Sequence, residues 1–369
     1  MKKILITTFN KAYNYGAQLQ EYALQKTINN SNVNCEVLNY SDPEINKHYT
    51  LFGIGTGNIK TKIIRIIKNF VFLNKNIKRK KNFQCFEKKY IKYTYKKYTE
   101  KTIKKEKIQK DIYITGSDQV WNPEITGGLS DVYTLNFGND NIKRISYAAS
   151  IGNEKNVQKY KKEYQKKLSG LDKISVREES AKKELEKIFP EKNIEVVLDP
   201  TLLLNKEEWE VEINNIKPEK EKYILAYIVE ENEEHTKIVN ELSQKTNIKI
   251  ISFERKKRYN QILRSAYTDG PLEFIKLIKN AEYIVATSFH ATVFSIIFNK
   301  KFWIVPHKTT GSRVTDLLKK LGISNRAVNT IDEFKERDYN EEIDYERVNK
   351  KLEEERKKSI KWLMDAIEK

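Results

Sequence analysis

The segment ATSFHATVFSIIF, residues 286–298, sets His290 between a strand-like run and an apolar, helix-like run. The chain holds four histidines, His48, His235, His290 and His307. Where a strand hands over to a helix, the N–H groups of the first turn point outward and carry partial positive charge. Such a junction can hold an anion, and a plain capped helix end has the same pattern. Thr287 and Ser288 are the better capping residues, which leaves His290 to face a ligand.

Four further stretches combine reactive or hydrogen-bonding side chains with a strand end. NYGAQLQ (14–20) follows the first strand, so Asn14, Tyr15 and the backbone of Gly16 are expected at a crevice or in a helix cap. TGSDQVWNP (115–123) ends a strand at Gly116 and continues through Ser117, Asp118, Gln119, Trp121 and Asn122. A loop this dense in polar groups with an indole suits a sugar, although capped turns share the composition. SVREES (175–180) places Arg177 at a strand end, ready to fork onto a carboxylate or phosphate. The competing reading pairs Arg177 with Glu178, Glu179 or Asp199. LDPT (198–201) puts Asp199 before a proline turn, where holding backbone amides is its expected work.

The totals bound what these residues can serve. A chain of 369 residues exceeds what one hydrophobic core usually supports, so two domains are expected. Cys35 and Cys85 show neither metal spacing nor a disulfide framework, which fits a reducing, cytoplasmic setting. No ligand cluster predicts a metal, and no cofactor is implied. MKKILITTF is too short in its apolar part for a signal peptide and reads as a buried first strand. No run reaches the ~18 apolar residues of a membrane span. The net charge of +18 is mostly lysine scattered through a chain also rich in Asn and Ile. That pattern argues against a dedicated nucleic-acid face and leaves weak attraction to anionic lipids or charged glycans.

Strand-like runs at 3–9, 35–40, 111–116, 143–150, 172–178 and 194–199 alternate with helix-like segments at 16–28, 155–168 and 181–189. The polar stretch 211–222 reads as a linker. A second series follows, with strands at 222–229, 248–253, 282–287 and 301–306 and helices near 232–246, 271–280, after His290 and at 313–322. Strands separated by helix-length connections predict an α/β protein built on parallel sheets. The expected organisation is an N-terminal domain over 1–210, a C-terminal domain over 222–325 and a terminal helix over 340–369. Residues 59–107 form a strongly basic, helix-prone insertion, read as a lid or as a membrane- or glycan-contacting segment.

Taken in order, NYGAQLQEYALQ, GSDQVWNP, SVREES, LDPT and SFHATVFSIIFNKKF resemble the polysaccharide pyruvyl transferase family, from about residue 3 to about 325. Ala291 stands where that family's typical SFHGT has glycine. The resemblance implies two Rossmann-like domains facing across a cleft, similar to the GT-B arrangement. It also implies transfer of a pyruvyl group from phosphoenolpyruvate to a sugar of a cell-surface polysaccharide or its lipid-linked precursor, giving a ketal and free phosphate. The donor carries phosphate and carboxylate, so the helix start at Thr287, Ser288 and Ala291, with Arg177 and Arg313, is its expected site. Protonating the methylene carbon creates an oxocarbenium-like centre that a sugar hydroxyl attacks, and His290 is the expected general acid. A helix start opposes the imidazolium, whereas a bound dianion favours it, so protonation is expected with the donor in place.

Two other readings stand at this point. A GT-B glycosyltransferase would share the double α/β plan and bind a nucleoside diphosphate. A non-catalytic basic binding protein would lose affinity steeply with salt and would not depend on His290.

Overall fold

KILIT and YILAY, two short apolar runs, become strands of two separate parallel sheets. The computed structural model describes residues 2–31, 33–49, 70–139, 141–255, 257–306 and 311–368. Residue contacts divide the chain into two units. Unit 1 comprises Met1–Leu73, Phe83–Leu204 and Glu355–Lys369, and unit 2 comprises Asn74–Asn82 and Asn205–Glu354.

In unit 1 the strands are β1 (Lys3–Thr7), β2 (Asn34–Val37), β3 (Ile112–Thr115), β4 (Lys143–Ala149), β5 (Lys173–Val176) and β6 (Ile194–Val196). Among the described residues they form one parallel sheet in the order β2-β1-β3-β4-β5-β6. In unit 2, β7 (Tyr223–Tyr227), β8 (Lys249–Ser252), β9 (Ile262–Ser265), β10 (Tyr283–Ala286) and β11 (Lys301–Ile304) form a parallel sheet in the order β11-β10-β7-β8-β9. Strands such as IYIT and YIVA are buried along their whole length, as parallel sheets require.

The helices are α1 (Tyr15–Asn29), α2 (Pro43–Tyr49), α3 (Leu73–Tyr90), α4 (Glu100–Ile103), α5 (Pro123–Thr126), α6 (Lys155–Lys159), α7 (Lys161–Leu168) and α8 (Glu179–Glu186). They continue with α9 (Lys206–Ile213), α10 (Glu233–Thr246), α11 (Pro271–Asn280), α12 (Phe289–Ile297), α13 (Ser312–Leu321), α14 (Ile331–Lys335) and α15 (Tyr345–Glu368). The fold class is therefore α/β with two Rossmann-like units, GT-B-like, and a C-terminal helix.

Several boundaries differ from the sequence reading for local reasons. The expected linker at 211–222 begins inside α9, whose Asn205–Glu208 capping box starts a helix directly after Leu204. The unit boundary consequently falls at Leu204/Asn205 and not near 210. The expected helix 155–168 is interrupted at Tyr160, where φ and ψ leave the helical region. The edge strand β9 was not foreseen, because ILRS is only half buried and shows no alternation. Of the basic insertion, residues 59–69 lie outside the described residues, and the remainder holds α3, α4 and the irregular segments beside them. The first half of α15 is grouped with unit 2. Its second half is tied to unit 1 by Leu198 N–H on Ser359 Oγ (3.0 Å) and Arg356 Nε–H on Leu202 O (2.7 Å). No helix among the described residues is long and apolar enough to cross a membrane.

Candidate functional site

In unit 2 the chain steps outward from β7 to β8 and β9, then returns to lay β10 and β11 on the other side of β7. The strand order thus reverses between β7 and β10, and ligands of open parallel sheets lie beyond the carboxyl ends of strands at such a point. The residues there are Thr287, Ser288 and His290. Thr287 donates its amide to Tyr227 O and accepts from Val229 N–H through Oγ1, both at 3.0 Å. Thr287 therefore ties the two strand ends together and leaves capping to Ser288, whose Oγ accepts from Ala291 N–H at 3.5 Å. Thr292 Oγ1 donates back to Ser288 O at 3.0 Å.

His290 follows as the second residue of α12, with 8% of its surface exposed and its ring edge-on to Phe289 at 5.3 Å. Ala291 is fully buried, and its carbonyl accepts from Ser295 Oγ at 2.7 Å. Its methyl group therefore occupies packed interior. Arg313 stands in the first turn of α13, which follows β11 and packs on α12. Because β10 and β11 are parallel neighbours, both helices start from the same edge of the sheet. The field of a helix start disfavours a cation in that turn and favours an anion nearby.

In unit 1 the order reverses between β1 and β3, and the stretches NYGAQLQ and TGSDQ meet there. Gly116 N–H donates to Thr7 O (2.8 Å), and Thr8 Oγ1 donates to Ser117 O (3.2 Å). Gly116 packs closely, since a Cβ would stand 2.7 Å from Leu24 Cδ2 and that side chain would have to shift. Asn14 caps α1 by accepting from Ala17 N–H at 3.2 Å, Tyr15 packs on Phe83 at 5.0 Å and Gly16 is buried. Asp118, at φ 70, adopts the left-handed backbone that side chains rarely take, and with Gln119 it stays partly exposed at this edge.

Two expectations for this loop are corrected. Trp121 is 0% exposed and spends its N–H on Tyr133 O at 3.0 Å, so its indole is core and offers no platform to a sugar. Asn122 is a helix cap: Oδ1 accepts from Glu124 N–H (3.1 Å) and Asn156 Nδ2 (3.0 Å), while its own Nδ2 donates to Gln119 Oε1 (2.9 Å).

Arg177 sits at the carboxyl end of β5, with Nη1 2.8 Å from Asp199 Oδ2 and Nε 3.7 Å from Glu178 Oε2. Ser117 Oγ also donates to Asp199 Oδ2 (2.8 Å), and Thr201 donates to Oδ1 from its amide (3.0 Å) and hydroxyl (2.6 Å). Burial alone would lower the guanidinium's pKa, but the carboxylates of Asp199 and Glu178 raise it. The donor-holding role gives way here to an internal ion pair, the competing reading of the sequence. Arg177 and Asp199 belong to unit 1, whereas Ser288, His290 and Arg313 belong to unit 2.

Of the other histidines, His235 is structural. Its Nε2 faces Val285 O at 3.0 Å, and burial pushes its pKa down to about 4, which keeps the ring neutral. His48 lies on α2, and His307 lies outside the described residues. Among the described residues, no group of three or more His, Cys, Asp or Glu is placed to hold a metal ion. The sequence reading missed a buried polar group in unit 1, formed by Gln18 and Glu21 of α1, Glu87 of α3, Lys11 and Tyr93. The spacing of Gln18, Glu21 and Gln25 was its only signal, and such a stripe ordinarily marks a solvated face.

The model of the family described as polysaccharide pyruvyl transferase matches residues 14–309. No curated protein matches the chain in sequence. Among solved structures, the Candida albicans trehalose-6-phosphate phosphatase N-terminal domain aligns at 10% identity over 100% of this chain and 97% of its own, with a TM-score of 0.54. The S. aureus MnaA–UDP co-structure aligns at 12% identity over 90% and 86%, with a TM-score of 0.51. The Methanocaldococcus jannaschii UDP-GlcNAc 2-epimerase in complex with UDP-GlcNAc and UDP aligns at 14% identity over 99% and 98%, with a TM-score of 0.50. At such identities the likeness is one of fold alone.

Proposed function

The chain belongs to the polysaccharide pyruvyl transferase family, and from that premise we propose that it moves the pyruvyl group of phosphoenolpyruvate onto a sugar of a cell-surface polysaccharide or its lipid-linked precursor. The observation that carries this reading is the β7/β10 reversal, where Ser288 opens α12 with His290 in its first turn and α13 presents Arg313 from the same sheet edge. The amides of that first turn and the Arg313 guanidinium suit a small donor bearing phosphate and carboxylate.

His290 protonates the methylene carbon, and the resulting C2 cation is attacked by one sugar hydroxyl. A second hydroxyl then displaces phosphate at C2. Of the two hydroxyl protons released, one replaces the proton given by His290 and one leaves with phosphate, so the ketal forms without any oxidant or reductant. Arg313 and the helix amides hold the donor while charge shifts from C2 to the leaving phosphate.

On this reading the reaction takes place in the cytoplasm, with peripheral contact at the inner face of the membrane. Phe70, Val71 and Ile77 are exposed on and before α3, beside the exposed lysines Lys78 and Lys81. An apolar edge flanked by lysines suits an anionic lipid surface, where a lipid-linked acceptor would be met.

The test is incubation with phosphoenolpyruvate and a panel of nitrophenyl or lipid-linked sugars, following phosphate release and product mass. Acceptor-dependent phosphate release with a ketal product supports the reading. Turnover of a nucleotide sugar with no response to phosphoenolpyruvate would replace it with the glycosyltransferase reading.

A further inference from the structure

Helix α1 is buried on almost every face, its polar residues included. Its polar stripe Gln18, Glu21 and Gln25 is buried, because α3 and the segment 91–98 pack over it. Tyr22 meets Phe86 and Tyr90 at 6.0 and 5.6 Å, Gln18 Nε2 donates to Glu87 Oε1 at 2.5 Å, and Gln25 exchanges hydrogen bonds with the backbone of Lys92. The interior this creates is polar. Glu21 is 0% exposed, and the donor that faces its carboxyl group is the Tyr93 hydroxyl. Gln18 Oε1 is buried without a donor. A buried carboxylate ordinarily collects two or three donors, and this group offers more acceptors than donors.

Lys11 borders the same space. It leaves β1 with φ 60, a left-handed conformation that costs a side-chain-bearing residue, and its ammonium lies 5.8 Å from the Tyr93 ring centre and bonds Asn39 Oδ1. Tyr13 lies edge-on to Phe83 at 5.8 Å. Lys11, Tyr13 and Tyr93 are partly exposed, so the group opens toward solvent beside the carboxyl end of β1, next to the β1/β3 reversal.

We propose that Glu21, Glu87, Gln18, Lys11 and the rings of Tyr13 and Tyr93 form a binding subsite for a neutral saccharide, the acceptor of the transfer proposed above. The proposal rests on that reading for the identity of its ligand. Burial and mutual repulsion favour the protonated form of the two carboxyl groups, which reduces the negative charge facing Lys11. A site of low net charge lined with acceptors and two tyrosine rings fits hydroxyl donors on an apolar ring face, and it disfavours phosphate, carboxylate or a metal ion. Burial is the leading reason that Glu21 and Glu87 resist ionisation, and the charge of Glu87 adds to it at Glu21.

The test uses the full chain with Glu87→Gln and Lys11→Met. Binding of neutral nitrophenyl hexosides is followed by saturation-transfer NMR, and binding of phosphoenolpyruvate by calorimetry. The expected result is at least a tenfold loss of sugar affinity in both variants, with donor affinity within twofold of the parent and melting temperature no lower for Glu87→Gln. Unchanged sugar affinity in both folded variants overturns the subsite, as does a parent protein that binds none of the hexosides. A parent that binds hexosides through these residues but releases no phosphate from phosphoenolpyruvate sinks the transfer reading and leaves the subsite standing.

Discussion

Nη1 of Arg177 lies 2.8 Å from Oδ2 of Asp199, and both side chains are essentially closed to solvent. Their partners come from three strand ends of one sheet, β3 through Ser117, β5 through Glu178 and the turn after β6 through Thr201. The pair therefore fixes the carboxyl edge of the unit 1 sheet. Arg177→Met leaves Asp199 buried without its cation, and a loss of about 3–5 kcal/mol in urea unfolding is expected. Unaltered stability combined with weaker phosphoenolpyruvate binding would instead return Arg177 to the donor site.

Trp121 gives a second separation of roles. Its ring fills core and its N–H is used internally. Trp121→Phe should lower stability by about 1–3 kcal/mol through lost volume and one orphaned carbonyl, with KM for the acceptor unchanged. A raised acceptor KM at unchanged stability would restore the stacking role expected from GSDQVWNP.

The order of elements was legible because apolar runs of four to seven residues alternate with amphipathic ones; IYIT and YIVA are buried at every position and KILIT at every position but Lys3. His290 and Ser288 were legible because a capping residue before an apolar helix has few other readings. Trp121 and Asn122 were misread because their partners are distant in sequence: Tyr133 and Asn156 meet them only through the fold. Arg177 stood between two readings, and the fold selects the pair with Asp199. Glu21 was invisible for the opposite reason. A Gln-Glu-Gln stripe at helical spacing is indistinguishable from a solvated face until α3 is seen to cover it.

Glu87 makes stability depend on pH in a defined direction. Burial pushes its carboxyl up to about 7, against the opposing effects of Lys11 and Gln18. A carboxyl raised above its unfolded value costs nothing while protonated in both states. Its penalty grows as pH rises from the unfolded value of 4.5 to about 7, and is then constant. Glu87→Gln should therefore match the parent near pH 4 and exceed it at pH 8 by on the order of 3 kcal/mol. Denaturation midpoints that stay parallel across this range would contradict the assignment.

The exposed Phe70, Val71 and Ile77 beside Lys78 and Lys81 predict sedimentation with vesicles containing anionic lipid and much weaker association with neutral ones. Binding should fall as salt rises and fall further in Lys78→Glu/Lys81→Glu. Equal recovery with neutral and anionic vesicles would remove the membrane role.

The most direct measurement compares the parent with His290→Gln in acceptor-dependent phosphate release from phosphoenolpyruvate, alongside donor binding and circular dichroism. The account predicts a folded variant that still binds the donor and has lost at least a hundredfold in kcat. A folded His290→Gln that releases phosphate at the parental rate would contradict it.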